Sequence, residues 1–251
     1  MPDYPMAVFV VSLFALALAS HIGVALRRWR DLAQGVRDDF NLIQAATLTL
    51  LSLLIGFSFS MAVNRYDQRK AFEEAEANAI GTEFVRADLM GSAAAPQVRA
   101  LLLDYLDQRI LFYTTRDAPQ RAQLDARTAR LQRALWSAVA ATAIERPTPT
   151  QALVVSGMND VLNSQGYTQA SFWNRIPLAA WWLDGAIALC CALSVGYGAR
   201  HARAEPILMW VLPFVLSVAF FLIADIDSPY GGVIRVSAQN LTSLAQALRT
   251  P

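Results

Sequence analysis

Residues 50–86 read LLSLLIGFSFSMAVNRYDQRKAFEEAEANAIGTEFVR. The first third is apolar enough for lipid, the remainder is charged, and no glycine or proline falls between Gly56 and Gly81. The run predicts one long helix that leaves the membrane near Asn64 and continues into water. The rest of the chain is placed relative to that rod.

Composition agrees with a bilayer. Of 251 residues, 55% are apolar and 16% charged, against about 45–50% and 25% in soluble domains. The net charge is +1 and no basic run or aromatic–basic stripe occurs, so nucleic acid is not an expected partner. Cys190 and Cys191 are adjacent in an apolar run and read as small packing residues rather than a disulfide framework. No Walker loop, HExxH, paired-cysteine spacing or GxSxG elbow is present. The chain is therefore not read as an enzyme, and neither a metal site nor a cofactor is expected.

Working outward, residues 6–26 and 41–63 form apolar runs long enough to span a bilayer, which takes about 20 residues. A cleavable signal is disfavoured because Arg27, Arg28 and Arg30 follow the first run and no positive charge precedes it. A polar connection, 27–40, joins the two. Residues 1–63 thus make a transmembrane hairpin. Residues 64–176 are polar and helical in pattern. Val98, Leu101, Leu102, Tyr105 and Phe112 mark one apolar face, and Leu124, Leu131, Leu135 and Val139 another. Breaks are expected at 91–96, near Pro119 and at 147–149. This region is read as an assembly built partly on the rod, not an independent domain. A second hairpin, 177–227, carries spans at 178–197 and 207–224, and 228–251 is a tail ending in a short amphipathic helix. The fold class is all-α, a polytopic membrane protein with four transmembrane helices and an extramembrane helical region continuous with the second.

Two faces of the rod invite a functional reading. Glu73, Glu74, Glu76 and Glu83 alternate with Arg65, Arg69, Lys70 and Arg86 at helical spacings, which suggests a solvated or salt-bridged surface rather than metal ligands. The other face steps through Leu53, Phe57, Met61, Asn64, Gln68, Ala71, Ala75, Asn78 and Thr82 without a formal charge. Such a stripe suits a pore with an apolar constriction and a polar vestibule; packing on neighbouring helices would favour the same residue types. Asp225 and Asp227 close the last span and are expected to pair with Arg65, Arg69 or Arg175 at the membrane edge.

These residues resemble a known family. Gly56-Phe57 followed by Arg65-Tyr66 resembles the neck helix of bestrophin channels, and Asp227-Ser-Pro-Tyr-Gly231 resembles their Glu-Asp-Pro-Phe-Gly segment after the last span. GFSFSMAVNRYDQR and EANAIGTEFVRADL, with Asp-x-Asp-x-Pro-x-x-Gly near the end, are similar to a bacterial bestrophin-like family. The resemblance implies a pentameric, generally anion-selective channel whose pore is lined by the second span, with neck residues Thr49, Leu53 and Phe57. Thr49 departs from the usual apolar residue, and Gly232-Val-Ile-Arg replaces the acidic run of the animal calcium clasp. The expected function is a homo-oligomeric channel for small anions such as chloride, in the bilayer of a bacterial cytoplasmic membrane. The alternative is a non-conducting scaffold or sensor whose helical region binds a partner. By resemblance that region is cytoplasmic. Basic residues lean the other way by six to five: Arg27, Arg28, Arg30, Arg37, Arg200 and Arg203 on the short connections, against Arg65, Arg69, Lys70, Arg175 and Arg235.

Overall fold

The structure, a computed structural model, describes residues 4–29, 34–91, 93–199 and 207–250. Arg30, Arg200 and Arg203 of the charge count lie outside them. All regular structure among the described residues is helical: α1 (Pro5–Trp29), α2 (Gln34–Arg86), a 3-10 turn (Ala87–Met90), α3 (Ala95–Thr114), α4 (Ala118–Glu145), α5 (Pro149–Trp173), α6 (Leu178–Gly198), α7 (Leu208–Asp227) and α8 (Gln239–Arg249). Four of the helical stretches are long and apolar enough to cross a membrane.

The rod is longer than its hydropathy suggests. α2 has 53 residues, about 80 Å at 1.5 Å per residue, and begins at Gln34, inside the stretch read as a polar connection. Hydropathy marks where lipid ends. Backbone hydrogen bonding carries a helix beyond that point into water. Helix starts downstream follow local capping chemistry. The Asp117 carboxylate accepts from Gln120 N at 3.2 Å and the Thr148 hydroxyl from Gln151 N at 3.2 Å, each with a proline in the first helical positions. Gly91, at φ 88, ends the 3-10 turn in the left-handed region that glycine tolerates.

The chain divides into two compact units, 1–66 with 175–235, and 67–174 with 236–251. The tail read as one segment is therefore shared between them. In the first unit α1 packs against α6 and α7. Leu16, Ala19, Leu51, Ala188, Cys191, Ala192, Leu216 and Phe220 form its core, flanked by Leu48 and Ile55 of α2. The α1–α6 approach is backbone to backbone. A Cβ on Gly23 would stand 2.1 Å from Leu193 O, and one on Gly196 would stand 1.9 Å from Ser20 O. Small residues permit such contact where lipid supplies no hydrophobic drive between helices.

The second unit is centred on Val98, Leu102, Tyr105, Leu106, Leu135, Val139, Val154, Met158 and Val161, all fully buried. The apolar positions expected on α3 and α4 are all buried or half-buried.

Candidate functional site: the two faces of α2

The inward register of α2 runs Leu51, Ile55, Ser58, Ala62, Tyr66, Arg69, Glu73, Glu76, Ile80 and Glu83, in steps of three and four, all buried except half-buried Ile55 and Tyr66. Side chains three and four apart share a helix face. Apolar and small residues occupy this face in the first unit, and ionisable ones dominate it in the second.

The opposite face is the uncharged stripe. Thr49, Leu53, Phe57, Asn64, Gln68, Ala71, Ala75, Asn78 and Thr82 are all exposed, and Met61 is half-buried. Leu53 and Phe57 are 53% and 58% exposed. Apart from Met61, which packs beside Ile176, Ile223 and Ile226, the stripe is exposed among the described residues along about 50 Å of helix length. The Thr49 hydroxyl donates to Ala45 O at 2.9 Å, which leaves its methyl as the group at the neck position.

The rotation of α2 is fixed beside this stripe. Ser58 and Asp184 of α6 are both buried, and the Ser58 hydroxyl donates to the Asp184 carboxylate at 2.5 Å. Nothing in the sequence joins positions 58 and 184, and only helix packing does so.

The acidic face is buried, which corrects the solvated-surface expectation for Glu73, Glu76 and Glu83. Glu73 accepts from Leu241 N at 3.0 Å and Asn240 Nδ2 at 2.6 Å. It thereby supplies the N-terminal cap that α8 lacks from its own sequence. Glu76 pairs with Arg109 of α3 and accepts from the Thr168 hydroxyl at 3.2 Å, and the Arg109 guanidinium lies 4.5 Å from the Phe112 ring centroid. Burial, and then the Glu76 charge, push the Tyr105 and Tyr113 phenols upward. Glu83 is fully buried, and among the described residues neither carboxylate oxygen has a hydrogen-bond partner. Burial pushes it up to about 8, against the opposing pull of Arg86 and with a smaller push from Asp160. Gly157 makes room for it, because a Cβ there would stand 2.1 Å from Glu83 Oε2 and 2.4 Å from Arg86 Nη1. Pairs at i and i+4 along the rod suggested surface charge, whereas the actual partners come from α3, α5 and α8.

At the end of α7 both aspartates accept from backbone N–H groups. The Asp225 carboxylate accepts from Val233 N and Ile234 N, both at 2.8 Å. Asp227 Oδ1 accepts from Ile176 N at 3.1 Å, and Ser228 Oγ from Gly231 N at 3.2 Å. A Cβ on Gly232 would stand 2.2 Å from Asp225 O, so the turn needs glycine there. Arg69 Nε donates to Ser171 O at 3.3 Å, Arg65 Nε is buried without a hydrogen-bond partner among the described residues, and Arg175 is half-buried just before α6.

A bestrophin-like domain model matches residues 13–241. The chain belongs to the bestrophin-like family. Its fold is similar to crystal structures of a bacterial bestrophin homologue from Klebsiella pneumoniae. A single-substitution variant of that homologue superposes with a TM-score of 0.67 at 13% identity, covering 96% of this chain and 97% of the other. A second structure of the homologue gives 0.66 at 12%, covering 97% and 96%. No curated protein matches the sequence. In this bestrophin-like chain the Asp-x-Asp-x-Pro-x-x-Gly motif is a structural clasp. Its first aspartate closes the turn after α7 and its second holds the backbone entering α6.

Proposed function

We propose that the chain assembles as a homo-oligomer, a pentamer by analogy with bestrophins, around an axis lined by α2, and conducts small anions such as chloride. The observation that carries this reading is the stripe from Thr49 to Thr82, exposed except at half-buried Met61 and uncharged, while Arg69, Glu73, Glu76 and Glu83 of the opposite face are buried. Leu53 and Phe57 form a constriction that gates by dewetting. Asn64, Gln68, Asn78 and Thr82 offer amide and hydroxyl donors beyond it. The positive edge of the Phe57 ring suits an anion more than a cation. Family membership supports the same assignment. The membrane is the bacterial cytoplasmic one, with the second unit on the cytoplasmic side.

The test is chloride efflux from liposomes carrying the purified protein, alongside its mass in detergent. An oligomer with flux above empty vesicles is expected. Phe57→Ala and Leu53→Ala should each raise flux several-fold by widening the dry segment. A monomer without flux would overturn the reading in favour of a non-conducting scaffold.

A further inference from the structure

Residues around Glu83 form a dry seam between the end of α2 and the first half of α5. Ile80, one turn before Glu83, is fully buried, as are Val154, Met158 and Val161, each within about a turn of Gly157. The helices meet at Gly157, where Glu83 Oε2 and Arg86 Nη1 fill the space that a side chain would take. Neither carboxylate oxygen finds a hydrogen-bond donor there among the described residues. The charges around the seam do not supply one. Arg86 is half-buried and Asp160 of α5 is exposed. Arg99 of α3 is engaged by Asp88 of the 3-10 turn at 2.5 Å and by Phe84 O at 3.3 Å.

We propose that this seam is a proton-operated latch: protonated Glu83 keeps α5 closed on the end of α2, and loss of the proton parts them. The neutral acid fits between apolar walls, whereas a carboxylate without donors does not. Once ionised, it has to be met by water or by the Arg86 guanidinium. Either contact requires α5 to lift at Gly157, whose bare backbone lies against the carboxyl and the guanidinium together. Burial opposes ionisation most, Arg86 favours it and Asp160 resists it weakly, and the balance is pushed up to about 8. Thr82, the last residue of the exposed stripe, adjoins Glu83, so the latch also sets the footing of that stripe. The latch is a property of the second unit and needs no conducting pore.

The test is hydrogen exchange of the full chain in detergent across neutral pH, corrected for the intrinsic amide rate. Between 4.5, the ordinary value, and about 8 inside the seam, opening should rise up to about tenfold per pH unit, then level off. Exchange in residues 149–161 of α5 should follow that curve while α3 and α4 stay constant. Glu83→Gln should abolish the dependence. Gly157→Ala serves if that variant fails to fold, since alanine is the better helix former. Its methyl would stand where the carboxyl now lies, so displaced Glu83 should ionise freely and the dependence should again be lost. In infrared spectra at neutral pH, a protonated-carboxyl band of the wild type should be missing from Glu83→Gln. A pH profile unchanged in Glu83→Gln, a rise shared equally by α3 and α4, or a wild type without that band would each overturn the latch.

Discussion

Glu83 is the residue whose environment departs furthest from what its type prefers. A fully buried carboxylate without a hydrogen bond is costly as an anion, so the folded chain keeps its proton up to about pH 8, against 4.5 for the ordinary group. Between those values the folded state binds a proton that the unfolded state has released. Stability therefore falls as pH rises, by at most about 1.4 kcal/mol per unit, and levels off above the folded value. Melting temperatures in detergent across that range should show the decline, and Glu83→Gln should flatten it. Gln cannot ionise, so a decline that persists in the variant would assign it to another group. Arg109 is the converse case, a buried cation with a partner. Arg109→Leu leaves Glu76 as an unpaired buried charge and should cost about 3–5 kcal/mol, and Glu76→Leu in the same chain should recover most of it, both read by denaturant titration.

At the scale of the element, α2 shows what the sequence makes legible. The rod was readable because apolar and charged segments follow one another without a helix breaker. The uncharged stripe was readable because helical spacing is regular. The meaning of the charged face was hidden. Glu73, Glu76 and Glu83 look identical in sequence, yet one caps α8, one pairs with α3 and one lies against Gly157 of α5. Those partners are fixed by tertiary packing between positions 33 to 168 residues apart. The close approach of α1 and α6 was hidden for the same reason, since Gly23 and Gly196 in apolar runs carry no pattern of their own. Two outcomes follow at this scale. Gly196→Val should separate α1 from α6 and cost at least about 1–3 kcal/mol, seen as a lower melting temperature or loss of folded material. Glu73→Ala should cost about 0.5–2 kcal/mol, with hydrogen exchange rising in α8 ahead of the other helices.

At the scale of the whole molecule, the proposed oligomer draws on what one chain leaves exposed. Among the described residues a face of uncharged side chains about 50 Å long, Met61 apart, is exposed, while the opposite face of α2 is largely buried. An oligomer that gathers these faces accounts for both. Cross-linking through a cysteine at Gln68 or Asn78, in a Cys190→Ser/Cys191→Ala background, should join neighbouring chains. The same cysteine at buried Ala77 should not. A ladder of cross-linked species would count the subunits, and its absence at both exposed positions would place the stripe away from the axis.

The bond between Ser58 and Asp184 has a consequence beyond its own contact. Adjacent residues on a helix stand about 100° apart, so turning α2 by one position would carry the Ser58 hydroxyl to where the Phe57 ring now stands. For the proposed pore the same backbone thus offers two alternative linings, one greasy and one hydroxylated, and a single hydroxyl–carboxylate link would work as the indexing pin between them. Ser58→Ala withdraws the pin while leaving Phe57 in place. A change in gating from that substitution, with the aromatic ring intact, would mark rotation rather than ring size as the variable that the proposed channel controls.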